Sequence, residues 1–190
     1  MTATTIKGEY RVTNLTKSEK ATAPVLSVKG LTVDLPRTME RRHAVSDISF
    51  DLNAGEILCI IGESGSGKSV TANAIMGLLP PVIKVSAGSI TFNGLDMLAA
   101  DAQTLRGLRG RAISMVFQDP LSSLNPVMTI GDQILEVMAA HKVGTPQSRA
   151  AKVIELLYEV GLPEPEVIVR QYPFRLSGGQ RQRVMIAMAL

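Results

Sequence analysis

Cysteine, histidine and long apolar runs are all scarce in this sequence, and each scarcity removes a class of protein. A single cysteine, Cys59, among 190 residues leaves no internal disulfide framework and suits a reducing compartment. Its place in an apolar run reads as a small core hydrophobe. The two histidines, His43 and His141, have no second His or Cys at metal-ligand spacing, so neither is read as a metal ligand. No apolar run approaches the roughly 18 residues that cross a bilayer; the best are 57–61 and 184–190. The polar first 24 residues contain no apolar h-region, which predicts no signal peptide. A net charge of +3 does not by itself point to nucleic acid or an anionic membrane. Gly 16 and Pro 10 are too few for a low-complexity chain. What is present, 45% hydrophobic and 19% charged residues, is the balance of a globular protein with a core. Size and composition together predict a soluble, intracellular and complete single domain.

Residues 1–24 lack periodicity and carry a slight basic excess (Lys7, Arg11, Lys17 and Lys20 against Glu9 and Glu19), which reads as a mobile tail. Residues 25–35 and 43–52 alternate apolar and polar and read as strands. The turn Asn53-Ala54-Gly55 leads into 56–61, a continuous apolar run of the kind buried on both faces of a parallel sheet. Residues 68–79 are compatible with a helix, stopped by Pro80-Pro81. A strand over 89–92 ends in the turn signal Asn93-Gly94, 101–108 looks helical, and 112–117 is a second buried apolar run. From Ile130 the period becomes helical: Ile130, Ile134, Val137 and Met138, then Val153, Leu156, Leu157 and Val160. Thr145-Pro146 opens the second of these helices and Gly161 closes it. A last helix begins near Ser177, and Met138, Met185 and Met188 read as packing residues. The pattern is α/β with a helical insertion.

Two motifs carry chemistry. Gly62-Glu63-Ser64-Gly65-Ser66-Gly67-Lys68-Ser69 fills every fixed position of G-x-x-x-x-G-K-[ST], a chance match on the order of one in a hundred for such a chain. It lies between a strand and a helix, as its mechanism requires. Glycines let backbone N–H groups converge on phosphate oxygens, and the helix adds its positive end. Lys68 brings a charge to the β/γ-phosphates, and Ser69 has a hydroxyl for Mg²⁺. The second motif is Leu176-Ser177-Gly178-Gly179-Gln180. Ser177 and Gln180 have the form of a capping box. Yet two first-turn glycines are each up to about 1 kcal/mol worse than alanine, so a second phosphate site is an equal reading.

Together the motifs resemble the nucleotide-binding subunits of ABC transporters, whose signature 176–180 matches letter for letter. Val116-Phe117-Gln118-Asp119-Pro120 is similar to that family's Q-loop. The stretches 117–126 and Tyr172-Pro173 with 176–190 are similar to its dipeptide/oligopeptide import branch, which includes nickel and glutathione importers. The resemblance covers about 25–190. It implies a P-loop NTPase of the ABC type with an antiparallel β subdomain and a helical subdomain over 126–180. It also implies residues 62–69 and Val70 around the chain's own ATP, with Lys68 and Gln118 catalytic and Ser69 and Gln118 at Mg²⁺. Ser177, Gly178, Gly179 and Gln180 would meet the ATP of a partner protomer. The implied partners are a second ATPase subunit, membrane permease subunits contacted through 121–129 and, indirectly, a substrate-binding protein. No nucleic acid is implied, and the place is the cytoplasmic face of the inner membrane.

The sequence departs from that pattern in two places. Leu35 stands where the family stacks adenine on an aromatic residue, leaving His43 or the stems of Arg41 and Arg42 as substitutes. The acidic strand with its catalytic glutamate would follow Leu190, so the C-terminally incomplete chain is expected to be inactive alone and aggregation-prone. The reading is an importer ATPase for peptides or a similar small solute; the alternatives are a non-transport ABC ATPase in DNA repair or translation, and an inactive nucleotide-binding fragment. Arg170, Arg175, Arg181 and Arg183 form a basic patch, read as a solvated or interface face rather than a nucleic-acid site.

Overall fold

The computed structural model describes residues 3–5, 11–14, 23–119 and 123–190. They fall into two units, Met1–Arg106 and Gly107–Leu190. In the first, strands β1 (Ala3–Thr5), β2 (Arg11–Asn14), β3 (Leu26–Asp34), β4 (His43–Leu52) and β5 (Leu58–Ile61) precede helix α1 (Lys68–Ile75). Strands β6 (Lys84–Phe92) and β7 (Leu95–Asp96) follow, and helix α2 (Ala102–Leu108) comes next.

The main sheet is antiparallel in the order β4-β3-β6-β7. Its register pairs Val28 with Phe50 and Ile90, so apolar side chains meet across three strands. Val28, Leu31, Val33, Val45, Ile48 and Ile90 are all 0–1% exposed. Asn93-Gly94 closes the β6–β7 hairpin with φ of 49° and 80°, the left-handed pair that a two-residue turn requires. At the far end of the sheet, Asp34 ties three strands together. Its Oδ1 accepts from Ser86 Oγ at 2.7 Å and lies 2.7 Å from His43 Nδ1.

The helical unit contains α3 (Ile130–Ala140), α4 (Pro146–Glu159), α5 (Pro165–Ile168), a 3₁₀ turn at Pro173–Arg175 and α6 (Gly178–Ala189). Thr145 caps α4 through a reciprocal box with Ser148, with Pro146 at the first helical position. Ile130, Ile134, Val153, Leu157, Val184 and Met185 share one core. Met138 joins that core and Met188 packs against it, as the helical spacing indicates.

Three expectations need correction. Within 1–24, read as a mobile tail, Ala3–Thr5 and Arg11–Asn14 are strands, β2 pairing antiparallel with both β1 and β5. The run at 57–61 is not buried on both faces, since Ile57 and Ile61 are 65% and 54% exposed and Cys59 is exposed. Residues 112–117 form no strand; Ile113 makes an isolated bridge to Arg109, and Val116 and Phe117 are exposed. The common cause is that an apolar run reports only the capacity for burial. Burying a strand on both faces takes sheet neighbours and helices above and below, and β5 has β2 alone as its strand neighbour among the described residues.

Gly88 is the tightest glycine of the sheet. Its φ is +94°, and a Cβ there would sit 2.5 Å from the carbonyl oxygen of Gly30. Gly88→Ala is therefore expected to destabilise the protein by about 2–4 kcal/mol, read as a lower urea midpoint. The Ser86 and His43 hydrogen bonds hold the Asp34 carboxyl below its ordinary value. A lowered folded pKa contributes stability above the ordinary aspartate range, and that stability is lost as pH falls through the folded value. Ser86→Ala should raise the Asp34 pKa in an NMR titration; an unchanged value would count against this network.

Candidate functional site

Backbone geometry between β5 and α1 builds the phosphate loop. Gly65 and Gly67 take φ of 80° and 100°, the left-handed region that glycine enters without cost. A hydrogen bond from Ser66 N–H to the Glu63 carbonyl, 3.2 Å, closes the turn, and Ser66 is 1% exposed. The Lys68 ammonium reaches back over the loop, donating to the carbonyls of Gly62 and Glu63, each at 2.7 Å, and to Ser66 Oγ at 3.3 Å. Gly67 is the N-cap of α1 and has no side chain to cap it, and no acidic residue stands in the first turn. The amides of Lys68, Ser69 and Val70 thus begin a helix with their positive end unneutralised. Thr71 closes the turn behind them, its N–H and Oγ1 donating to the Gly67 carbonyl at 2.8 and 3.1 Å. A Cβ at Gly65 would meet nothing within 4 Å, so its surroundings are open. Glu63, Ser64 and Ser69 are exposed. The start of α1 thus gathers uncapped helix amides, a lysine and an accessible hydroxyl at one loop.

The candidates at the adenine position have prior engagements. Leu35 is half-buried and its N–H donates to the Arg42 carbonyl at 2.9 Å. His43 is bonded to Asp34, and Arg41 Nη1 donates to the Gly65 carbonyl at 3.0 Å.

The other expected site residues belong to the second unit. Gln118 is exposed on a bend, and Pro120 to Ser122 of the following segment lie outside the described residues. At the signature, the capping box is formed: Ser177 N–H donates to Gln180 Oε1 at 2.9 Å, and Gln180 N–H to Ser177 Oγ at 3.3 Å. That box uses the Gln180 amide and leaves the first-turn amides of Gly178 and Gly179 outside it. Neither glycine has an atom within 4 Å of where a Cβ would lie. The capping box of the first reading is thus formed, Ser177 and Gln180 fixing the helix start, and the two glycines leave that helix end without side chains.

The basic patch is partly structural. Arg181 Nε donates to the Pro173 carbonyl at 2.8 Å, and Arg183 Nη1 to the carbonyls of Val160 and Gly161 at 2.8 and 2.9 Å. Arg183 thus sits at the negative end of α4, where a cation is favoured. Arg175 lies 5.9 Å from the centre of the Phe174 ring, which stacks on Tyr172.

Sequence reasoning missed Gln133. It is 4% exposed, accepts from the Asn125 N–H at 2.8 Å, and donates to the carbonyls of Asn125 and Met128 at 3.0 and 3.1 Å. It thereby shapes the described part of the 121–129 segment. A lone amide flanking the apolar positions Ile130, Ile134 and Val137 was the available signal.

Comparison with known proteins agrees with this geometry. The family model described as ABC transporter matches residues 45–190. The chain is 49% identical over 173 residues to the peptidoglycan transport ATP-binding protein YejF of Agrobacterium fabrum, covering 90% of this chain and 32% of that protein. It is 47% identical over 167 residues to the dipeptide transport ATP-binding protein DppD of Bacillus subtilis, covering 87% of this chain and 50% of the relative. It therefore spans half or less of the length of these curated relatives. Among solved structures, the dimeric form of MJ0796, a bacterial ABC transporter cassette, superposes with a TM-score of 0.72 at 27% identity, covering 87% of this chain and 68% of that one. Its post-hydrolysis state bound to ADP and Pi gives 0.70 at 26% identity, with the same coverage. A phosphate loop of this geometry, a signature helix with open glycines and a family match from position 45 to 190 lead to one statement: the chain belongs to the ABC transporter family.

Proposed function

We propose that this chain is the nucleotide-binding part of an ATP-driven importer for peptides or a similar small solute. The observation that carries the reading is the phosphate loop, with Lys68 over the Gly62 and Glu63 carbonyls and an uncapped α1 behind it. Its chemistry is phosphoryl transfer from ATP to water. Such a reaction needs positioning and charge stabilisation more than covalent help from the protein.

Residues 62–70 take the triphosphate, the loop amides facing its oxygens and Lys68 exchanging carbonyl partners for the β- and γ-phosphates. Mg²⁺, when bound, neutralises charge across those phosphates. The Ser69 hydroxyl and the Gln118 side-chain oxygen suit a hard cation, and both residues are exposed. Ser177 and the amides of Gly178 and Gly179 serve the nucleotide of a second ATPase subunit; the dimeric cassette supports that pairing. Membrane permease subunits meet the segment shaped by Gln133, and a substrate-binding protein delivers solute to them. Both curated relatives are named as transport ATP-binding proteins, which supports this assembly. Among the described residues no helix is long and apolar enough to cross a membrane, in keeping with a peripheral place on the cytoplasmic face of the inner membrane.

Two substitutions in the full-length protein test the two ends of the site. Lys68→Ala removes a charge-assisted donor and should weaken ATP binding about ten- to a hundredfold in a titration with a fluorescent ATP analogue. An unchanged affinity would sink the loop assignment. Gly179→Asp places a carboxylate where a helix start tolerates it but a phosphate does not. It should leave ATP binding at the chain's own loop intact while stopping turnover by the assembled transporter; full turnover would show that the signature helix meets no phosphate.

A further inference from the structure

The β3–β4 connection is bonded to the phosphate loop through one side chain. Arg41 Nη1 donates to the Gly65 carbonyl across 24 residues of sequence. Among the described residues, Arg41 is the only side chain from outside the strand–loop–helix unit that bonds residues 62–67. The remaining partners, Lys68 and Thr71, come from α1 itself. No carboxylate lies within ion-pair distance of Arg41 among the described residues.

What this bond fixes follows from peptide planarity. The carbonyl of Gly65 and the N–H of Ser66 share one rigid plane, so holding the carbonyl sets the direction of the amide. That amide donates to Glu63, whose carbonyl also receives Lys68. Arg41 and Lys68 therefore grip the same turn from opposite ends. Gly65, at φ +80° with open space around it, has no side-chain packing of its own to hold it. The tether is short and its base is anchored. Leu35 N–H bonds to the carbonyl of Arg42, Met39 N–H to that of Pro36, and His43 is locked to Asp34.

We propose that Arg41 is a positioning residue for nucleotide binding: it holds the Gly65–Ser66 peptide in the phosphate-accepting turn. The proposal rests on the phosphate-loop reading above. It gives the connection after the non-aromatic Leu35 a role distinct from stacking on the base. Because Arg41 acts on the loop and not on adenine, its contribution is the same for any ligand that presents the polyphosphate alone. The bond is solvent-exposed, so its loss costs little global stability and is read mainly in affinity.

The experiment measures affinities of the full-length protein for ATP and for inorganic tripolyphosphate by competition with a fluorescent ATP analogue. Arg41→Ala should weaken both by the same factor, about three- to tenfold, with the thermal midpoint unchanged. Hydrogen exchange at residues 63–67 should quicken. Arg41→Gln, which keeps an N–H donor without the charge, should recover most of both effects. Unchanged affinities would overturn the proposal, as would a loss confined to ATP, which marks a contact with the base. An Arg41→Gln protein as weak as Arg41→Ala, with the deficit erased by salt, would also overturn it, because that marks a long-range charge effect. Lys68→Ala is the control: if it binds tripolyphosphate as the unaltered protein does, the phosphate-loop reading itself fails, whatever Arg41 does.

Discussion

A site for phosphate made from backbone amides works only if several peptide groups are held with their N–H bonds convergent, and that constraint organises the first unit. Two left-handed glycines bend the chain, and hydrogen bonds to Glu63, Gly62 and Gly65 stop it from relaxing. A glycine turn is costly to order, since glycine loses more backbone freedom than any other residue. Groups around the loop offset that cost: Lys68 and Thr71 from α1, and Arg41 from the connection between β3 and β4. The antiparallel sheet matters because it fixes the connection that carries Arg41, through the register that brings Asp34, His43 and Ser86 together.

The helical unit meets a related constraint differently. The start of α6 also offers amides, but here a capping box provides the rigidity that cations and carbonyls provide at the loop. Ser177 and Gln180 satisfy each other, so the glycines between them need carry no side chain for stability. The same helix is held along its length by Arg181 and Arg183, which donate to carbonyls of the 3₁₀ turn and the end of α4. A basic patch in sequence thus turns out to be, in part, a set of clamps on backbone oxygens. Gln133 is a third case of the same device, one buried amide satisfied by backbone groups of the loop it shapes.

Legibility in the sequence tracked how local each cause was. Strands β3 and β4 were readable because alternation across a half-buried sheet is written residue by residue, and α4 because Thr145, Pro146 and Gly161 punctuate it. The phosphate loop was readable because its fixed positions lie within eight residues. The runs at 57–61 and 112–117 were misread as buried because burial on two faces is decided by neighbours that a run of apolar letters does not specify. The strands within the first 24 residues were missed for a similar reason: β2 is held by pairing with β5, not by a pattern of its own.

By itself, then, the sequence determined the glycine-rich loop between β5 and α1, the capped glycine helix and the period of most elements, because each is set by residues a few positions apart. Only the tertiary structure decided that Arg41 meets Gly65, that Asp34 collects Ser86 and His43, and that Gln133 is buried against a loop. Those contacts join residues brought together by strand register and by helix packing. Their partners are chosen by three-dimensional proximity, and no local pattern encodes that.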